Sequence, residues 1–322
     1  MTTTSQASMI DPRWAPHVEG ARQTNDALRQ MGDLIPVFET PEQVAGMRVI
    51  PASFLDVELA LPVHNRTIPG PAGEMRLRVA AAPGRPSAVY LDVHGGGFCM
   101  GWPEMHDPAN ARLALATGMT VVSLDYRLAP EHPFPAGPDD CRAAADWLIA
   151  NAEAEFGSAT LIIGGDSAGA NLTMHVALHL RERGLLDRVA GMNLTYGIYD
   201  LSGTPSARNL GEQPLVLTAR AMDKFHDSYA PGRSPEELRD PAISPLYADV
   251  AGLPPALLTV GTLDPLLDDS LFMAARLRAA GNPAELYVVP ESPHGFGSFP
   301  GPMAAELEML TQEWVRDRLA IA

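Results

Sequence analysis

The sequence predicts an α/β protein built on a mostly parallel sheet with helices on both faces. Two observations carry this. Short, near-continuous apolar runs such as "ATLIIGGD" and "ALLTVGTLD" recur, as expected of strands buried on both faces. They alternate with longer helix-like segments, the order that a parallel sheet requires. The chain has 322 residues, 46% of them hydrophobic, which is enough for one large core or two modest ones.

The elements follow in chain order. A leading antiparallel pair is expected near 56–82, with "MRLRVAAAP" (75–83) as its clearer member, and "SAVYLDVHG" (87–95) is the next strand. "PANARLALATG" is helix-like and precedes the strand "TVVSLDYRL" (120–128). The segment 138–157 has proline and aspartates at its start, alanines inside and Gly157 at its end, which marks a helix with both termini signalled. The strand at 159–166 comes next. Residues 168–184 are helical and nearly apolar all round, so this helix is expected to be buried. Strands are expected at 189–197, 256–264 and 284–292, and amphipathic helices at 267–281 and 303–320. This gives about six buried strands plus the leading pair. Residues 1–55 and roughly 198–248 break the alternation. Both are read as a cap over one end of the sheet, within a single domain spanning 1–322.

Composition excludes several classes of function. Lys+Arg 23 against Asp+Glu 39 gives a net charge of −16, which argues against a nucleic-acid partner, because that binding relies on clustered basic residues. No run of apolar residues is long enough for a membrane span. The N-terminus lacks the basic start and apolar stretch of a secretion signal. Two cysteines, Cys99 and Cys141, cannot make a disulfide framework, so the cytoplasm is the expected compartment.

The chemistry centres on "GDSAG" at 165–169. A bare G-x-S-x-G arises by chance in about one chain in ten of this length, so its setting decides. An apolar strand precedes it and a helix follows. Gly165 and Gly169 flank Ser167 where a sharp strand-to-helix turn leaves no room for side chains. Such a turn lifts a serine hydroxyl clear of the sheet and presents the next amide, that of Ala168, at a helix N-terminus. A capping serine is the bland reading of the pentapeptide alone; the strand-turn-helix setting outweighs it.

A serine hydroxyl needs a base. Of nine histidines, His294 in "ESPHGFGS" lies directly after the last expected strand, where an open parallel sheet places its ligand-contacting loops. His175 and His179 have a metal-compatible spacing but no third ligand nearby, and are read as hydrogen-bonded core residues. His17, His64, His106 and His226 carry no signal. Asp264 ends a strand before Pro265 and is the expected orienter of the imidazole. Asp268 and Asp269 fall in the first turn of the next helix, where acids favour the dipole, and are read as structural. The order Ser167, Asp264, His294 fits this kind of sheet. Finally, "LDVHGGGFCMG" (91–101) carries three consecutive glycines after a strand. Bare backbone of this kind can supply the amides of an oxyanion hole. It lacks the spacing of a phosphate loop. His94 is expected to anchor the loop, and Cys99 to pack.

"HGGGF" (94–98), "DYRLAPEHPFPA" (125–136), "GDSAG" (165–169), "DPLLDD" (264–269) and "HGF" (294–296) together resemble the bacterial hormone-sensitive-lipase family of esterases within the α/β-hydrolase superfamily. The resemblance runs from about residue 75 to the end. It implies an eight-stranded, mostly parallel sheet with a helical cap. It also implies Ser167 as nucleophile, Asp264 as acid and His294 as base, with an oxyanion hole from the amides of Gly96, Gly97 and Ala168. Arg127, Glu131 and His132 would hold loops near the site. The implied activity is a serine carboxylesterase for short- to medium-chain acyl esters acting through an acyl-enzyme, with no metal or organic cofactor. The partner is a small-molecule ester, and a homodimer through the final strand and helix is the family-based expectation. The alternatives are an amidase or other acyl hydrolase on the same triad, or a non-catalytic small-molecule-binding protein on this fold; the presence of His294 weighs against the latter. A lipase acting at interfaces would favour an apolar exposed lid, whereas the cap segments are mixed and charged.

Overall fold

The computed structural model describes residues 11–32, 34–35, 38–49, 58–209 and 215–321. Its strands are β1 (Val63–Gly70), β2 (Gly73–Ala81), β3 (Val89–Val93), β4 (Thr120–Asp125), β5 (Leu161–Asp166), β6 (Val189–Thr195), β7 (Ala256–Gly261) and β8 (Ala284–Val289). They form one 8-stranded sheet in the order β1-β2-β4-β3-β5-β6-β7-β8. β2 runs antiparallel to both β1 and β4, and all other neighbours are parallel. Positions 56 and 57 of the expected leading pair lie outside the described residues, and its first strand begins at Val63.

The helices are α1 (Val18–Met31), α2 (Pro41–Met47), α3 (Asp107–Thr117), α4 (Ala136–Phe156), α5 (Ala168–Glu182), the short α6 (Pro205–Arg208), α7 (Ala219–Tyr229), the short α8 (Pro235–Leu238), α9 (Leu267–Ala279) and α10 (Pro302–Ile321). The strands alternate their side chains between two apolar layers. Leu161 and Ile163 join Leu148 of α4, Leu172 and Val176 of α5 and Leu277 of α9 on one face. Ile162 joins Leu113 of α3 with Leu310 and Trp314 of α10 on the other. β3 and β7 are buried at every residue, which is why they read as continuous apolar runs. α5 lies between sheet and neighbours with residues buried around its whole circumference, as its composition predicts.

The strand order places the site. β3 is followed by α3 and then β4 on one side, whereas β5 lies on the other side of β3. The chains leaving β3 and β5 therefore diverge to opposite faces. A crevice opens between their carboxyl ends, the position where such sheets bind ligands.

Of the two irregular regions, residues 1–10, 33, 36, 37, 50–55 and 210–214 lie outside the described residues. The remainder packs on the loops beyond the strand ends. α1 rests against α10, and its buried Asn25 donates to the Glu291 carbonyl at 2.8 Å. Phe38 lies 5.6 Å, centroid to centroid, from Phe225 of α7. Glu39 accepts from Arg220 and Lys224 of the same helix. Arg48 donates through Nε to the Cys99 carbonyl at 2.6 Å.

Candidate active site

β5 delivers Ser167 at φ 54°, ψ −117°, in the sparsely populated backbone region where strain collects at functional sites. The turn holds because its main chain is tied on both sides. The Ser167 amide donates to Thr195 at 2.9 Å, and its carbonyl accepts from Ala170 at 3.1 Å. A Cβ on either Gly165 or Gly169 would run into the carbonyl oxygen of Val93 on β3, so only glycine fits at both flanks of the serine.

The loops after β7 and β8 complete a relay. Ser167 Oγ is 2.9 Å from His294 Nε2. His294 Nδ1 is 2.9 Å and 3.1 Å from the two carboxylate oxygens of Asp264. With Nδ1–H held by the carboxylate, Nε2 faces the hydroxyl as an acceptor, the tautomer a general base needs. Gly295 follows at φ 70° and lets the loop turn the ring inward. Tyr196 meets the His294 ring edge-on at 5.1 Å. Burial pushes the His294 pKa down, but the charge and hydrogen bond of Asp264 and the charge of Asp166 outweigh it, so the net shift is upward.

The glycine loop after β3 lies beside the serine. Gly96 and Gly97 have φ 114° and 60°, and the Phe225 ring occupies the space a Cβ of Gly97 would need. Among the described residues, the amides of Gly96, Gly97 and Ala168 have no hydrogen-bond acceptor. They remain open to a ligand oxygen. His94 anchors the loop, as expected. Its Nδ1–H donates to the Gly95 carbonyl at 2.8 Å, its ring stacks on Tyr126 at 4.3 Å, and Tyr126 Oη–H donates to the His94 carbonyl at 2.9 Å. Burial lowers the pKa of the His94 ring.

The other singled-out residues fall into structural roles. Asp269 accepts from the amides of Tyr199 and Asp200 and from Thr204 Oγ1, and Asp268 from the Ser206 amide. Together they pin the segment that leaves β6. His175 is buried and the half-buried His179 is hydrogen-bonded to Asp146 at 3.0 Å, so the two rings serve different surroundings, His179 linking α5 to α4 instead of lying in the core. Arg127 clamps Asp140 through both carboxylate oxygens, Nη2 donating to Oδ1 at 2.8 Å and Nε to Oδ2 at 2.9 Å. Glu131 pairs with Arg48 at 2.9 Å. His132 departs from expectation: its side chain is exposed and, among the described residues, makes no hydrogen bond.

Sequence reading missed a second carboxylate–imidazole array behind the glycine loop. Asp166 Oδ1 accepts from the Gly95 amide at 2.7 Å and lies 3.4 Å from His106 Nε2. His106 Nδ1 is 2.9 Å from Asp92 Oδ2. Positions 92, 106 and 166 share no spacing that marks them. The only sequence signal was the place of Asp166 next to the serine.

Known proteins resemble this chain in sequence and in fold. Residues 90–298 match a family described as alpha/beta hydrolase fold. The chain is 35% identical over 259 residues to the carboxylic ester hydrolase LipN of Mycobacterium tuberculosis, covering 78% of this chain and 69% of that one. It is 39% identical over 225 residues to the carboxylesterase NlhH of the same species, covering 66% and 67%. Among solved structures, a hyperthermophilic esterase from Pyrobaculum calidifontis superposes with a TM-score of 0.81 at 32% identity, covering 93% of this chain and 98% of that one.

Proposed function

The chain belongs to the alpha/beta hydrolase fold family and is a carboxylic ester hydrolase, and from this premise we propose that Ser167, His294 and Asp264 carry the reaction. The observation that supports the assignment best is the 2.9 Å approach of Ser167 Oγ to His294 Nε2, next to three amides without acceptors. The ester carbonyl oxygen points at the amides of Gly96, Gly97 and Ala168. His294 Nε2 takes the Ser167 proton as Oγ attacks the carbonyl carbon, and the oxyanion is held by the amides. The imidazolium then gives its proton to the departing alkoxide, leaving an acyl-serine. Water enters, His294 accepts its proton, and collapse of the second tetrahedral intermediate returns the acid and the free hydroxyl. Asp264 keeps the tautomer and stabilises the imidazolium. Each oxyanion donor is worth about 2.7–4 kcal/mol of transition-state stabilisation in sites of this kind.

The irregular regions, about 1–55 and 198–248, act as a cap, and the substrates are short- to medium-chain acyl esters. α7 supports this: Met222 and Phe225 are buried while Arg220 and Asp223 face outward, so it offers no broad apolar lid to an oil surface. Among the described residues no helix is long and apolar enough to cross a membrane. A cytoplasmic location and a homodimer, with the exposed Val288 of edge strand β8 at its contact, complete the reading; light scattering of the purified chain tests the second.

The test is Ser167→Ala. Turnover of p-nitrophenyl butyrate and labelling by a fluorophosphonate probe are both expected to disappear, with thermal stability retained. Hydrolysis by the purified variant at the parent rate would remove Ser167 from the mechanism. A series of p-nitrophenyl esters of rising acyl length tests the substrate class; rates that keep climbing beyond decanoate would overturn it.

A further inference from the structure

We propose that His106 is a positioning residue for ester hydrolysis, cross-linking Asp92 to Asp166 so that the Asp166 carboxylate holds the glycine loop in register with Ser167. The proposal deepens the triad reading and rests on it.

The link is direct. Asp166 immediately precedes the nucleophile and Gly95 immediately precedes the first oxyanion glycine. Their 2.7 Å hydrogen bond, from the Gly95 amide to Asp166 Oδ1, joins the two halves of the site one residue away from each. The loop is seated on that side chain, since a Cβ on Gly95 would lie 2.6 Å from Asp166 Oδ2. Asp166 is partly exposed, however, and a carboxylate held by one bond can rotate. His106 Nε2, 3.4 Å from Oδ1, restrains it.

His106 is itself fixed at its far nitrogen. Asp92 Oδ2 faces Nδ1 at 2.9 Å, and the same oxygen accepts from Asn110 Nδ2 at 2.9 Å and Ser123 Oγ at 2.7 Å. Asp92 belongs to β3 and is buried, so the anchor is the sheet itself. Each ring nitrogen thus faces a carboxylate, Asp92 Oδ2 within hydrogen-bond distance and Asp166 Oδ1 at 3.4 Å, and two flanking negative charges favour the imidazolium. Burial opposes the charge, but Asp92, Asp166 and Asp107 raise the pKa to about 10. The ring therefore stays cationic across the range in which His294 works as a base. It touches neither Ser167 nor the oxyanion amides, and its influence on them passes through Asp166.

A merely structural ion pair would change stability and leave turnover per intact site unchanged. The experiment separates the two. His106→Gln, Asp166→Asn and the double variant are assayed on p-nitrophenyl butyrate on the alkaline plateau, where His294 is neutral, with active sites titrated by fluorophosphonate and melting followed in parallel. Misplacing a reacting group by about 1 Å costs up to about a hundredfold, so kcat of His106→Gln is expected to fall about tenfold to a hundredfold, with little change in KM. The double variant is expected to lose no more than the worse single variant, because both changes break one chain of contacts. A kcat for His106→Gln within about twofold of the parent, or losses that multiply in the double variant, would overturn the proposal. If His106→Gln does not fold, Asp166→Asn decides alone. It keeps an acceptor for Gly95 but removes the charge opposite His106, so a fall in kcat at unchanged melting temperature supports the proposal and an unchanged kcat overturns it. Failure of the triad reading looks different: the parent itself would remain unlabelled.

Discussion

Replacing Asp264 by Asn tests the relay at the point where geometry and charge can be told apart. The Asp264 side chain is fully buried. Its Oδ1 accepts from the Leu266 amide at 2.8 Å, and its Oδ2 makes the 2.9 Å contact to His294 Nδ1. An asparagine keeps its carbonyl oxygen on the Leu266 amide, which turns its NH₂ toward Nδ1. The imidazole must then accept at Nδ1 and carry its proton on Nε2, pointing at Ser167 Oγ, where it cannot act as base. In serine hydrolases this inversion costs about ten-thousand-fold in kcat, equivalent to about 5 kcal/mol of transition-state stabilisation. The same change alters titration. Without the carboxylate, burial acts on His294 almost alone, so its pKa falls and the acid limb of the residual kcat/KM moves to lower pH. Stability follows with a definite sign. The raised pKa of His294 stabilises the parent fully below the ordinary histidine value, and this is lost as pH rises through the folded-state value. The melting gap between parent and variant should therefore be wider near pH 5.5 than near pH 8.5. Site-titrated kcat and paired melts measure both. A variant keeping more than about a tenth of the parent kcat would refute the tautomer argument.

Two further outcomes follow from packing. Gly169→Ala puts a methyl group on the Val93 carbonyl, and a rigid β3 cannot yield, so the loss of stability should reach the upper end of the ~1–3 kcal/mol of overpacked sites, read as a lowered urea midpoint; an unchanged midpoint would mean the elbow is not tight. The Cys99 thiol is pushed by burial up to about 12 and that of Cys141 well above its usual value, so iodoacetamide at pH 8 should modify neither in the folded protein and both after denaturation. Rapid labelling of the native chain would show that the interior opens.

The parts that were legible in the sequence are those that local physics writes into it. β3, β5 and β7 are buried on both faces, so their apolar runs could be read without knowing their neighbours. Ser167, Asp264 and His294 each sit just beyond a strand end, and that placement, more than the pentapeptide, picked out the three side chains that the fold brings together. What escaped was tertiary. Asp92 looks like one polar residue in an apolar strand, and His106 follows a tryptophan–proline turn with no motif around it; only the fold brings them to Asp166. His132 erred in the other direction. Its place in "YRLAPEHPFPA" implied a structural bond, yet the backbone turns the side chain to solvent while Arg127 and Glu131 make theirs. Asp269 stands in the first turn of its helix and is structural, as expected, but its bonds to two amides and a hydroxyl of the segment leaving β6 had no signal in the sequence.

Backbone strain follows the same map. Among the described residues, the non-glycine positions with positive φ are Phe98, Ser167, Tyr196 and Glu291, one shortly after each of β3, β5, β6 and β8. Such conformations cost about 1–3 kcal/mol each and survive only where neighbours over-determine them. Here each is tied at the main chain to another loop or strand end. The Phe98 carbonyl accepts from Ala129, the Ser167 amide donates to Thr195 and the Tyr196 amide donates to Thr259. Glu291 is held at both ends, by Thr262 Oγ1 on its amide and Asn25 on its carbonyl. The strain is thus confined to the carboxyl end of the sheet, and the bonds that sustain it tie these loops to one another and to the buried strands β6 and β7. The proposed oxyanion hole, fixed in this way, has its donors in place before charge develops, and that preorganisation, not the strength of any single hydrogen bond, is what an electrostatic catalyst needs.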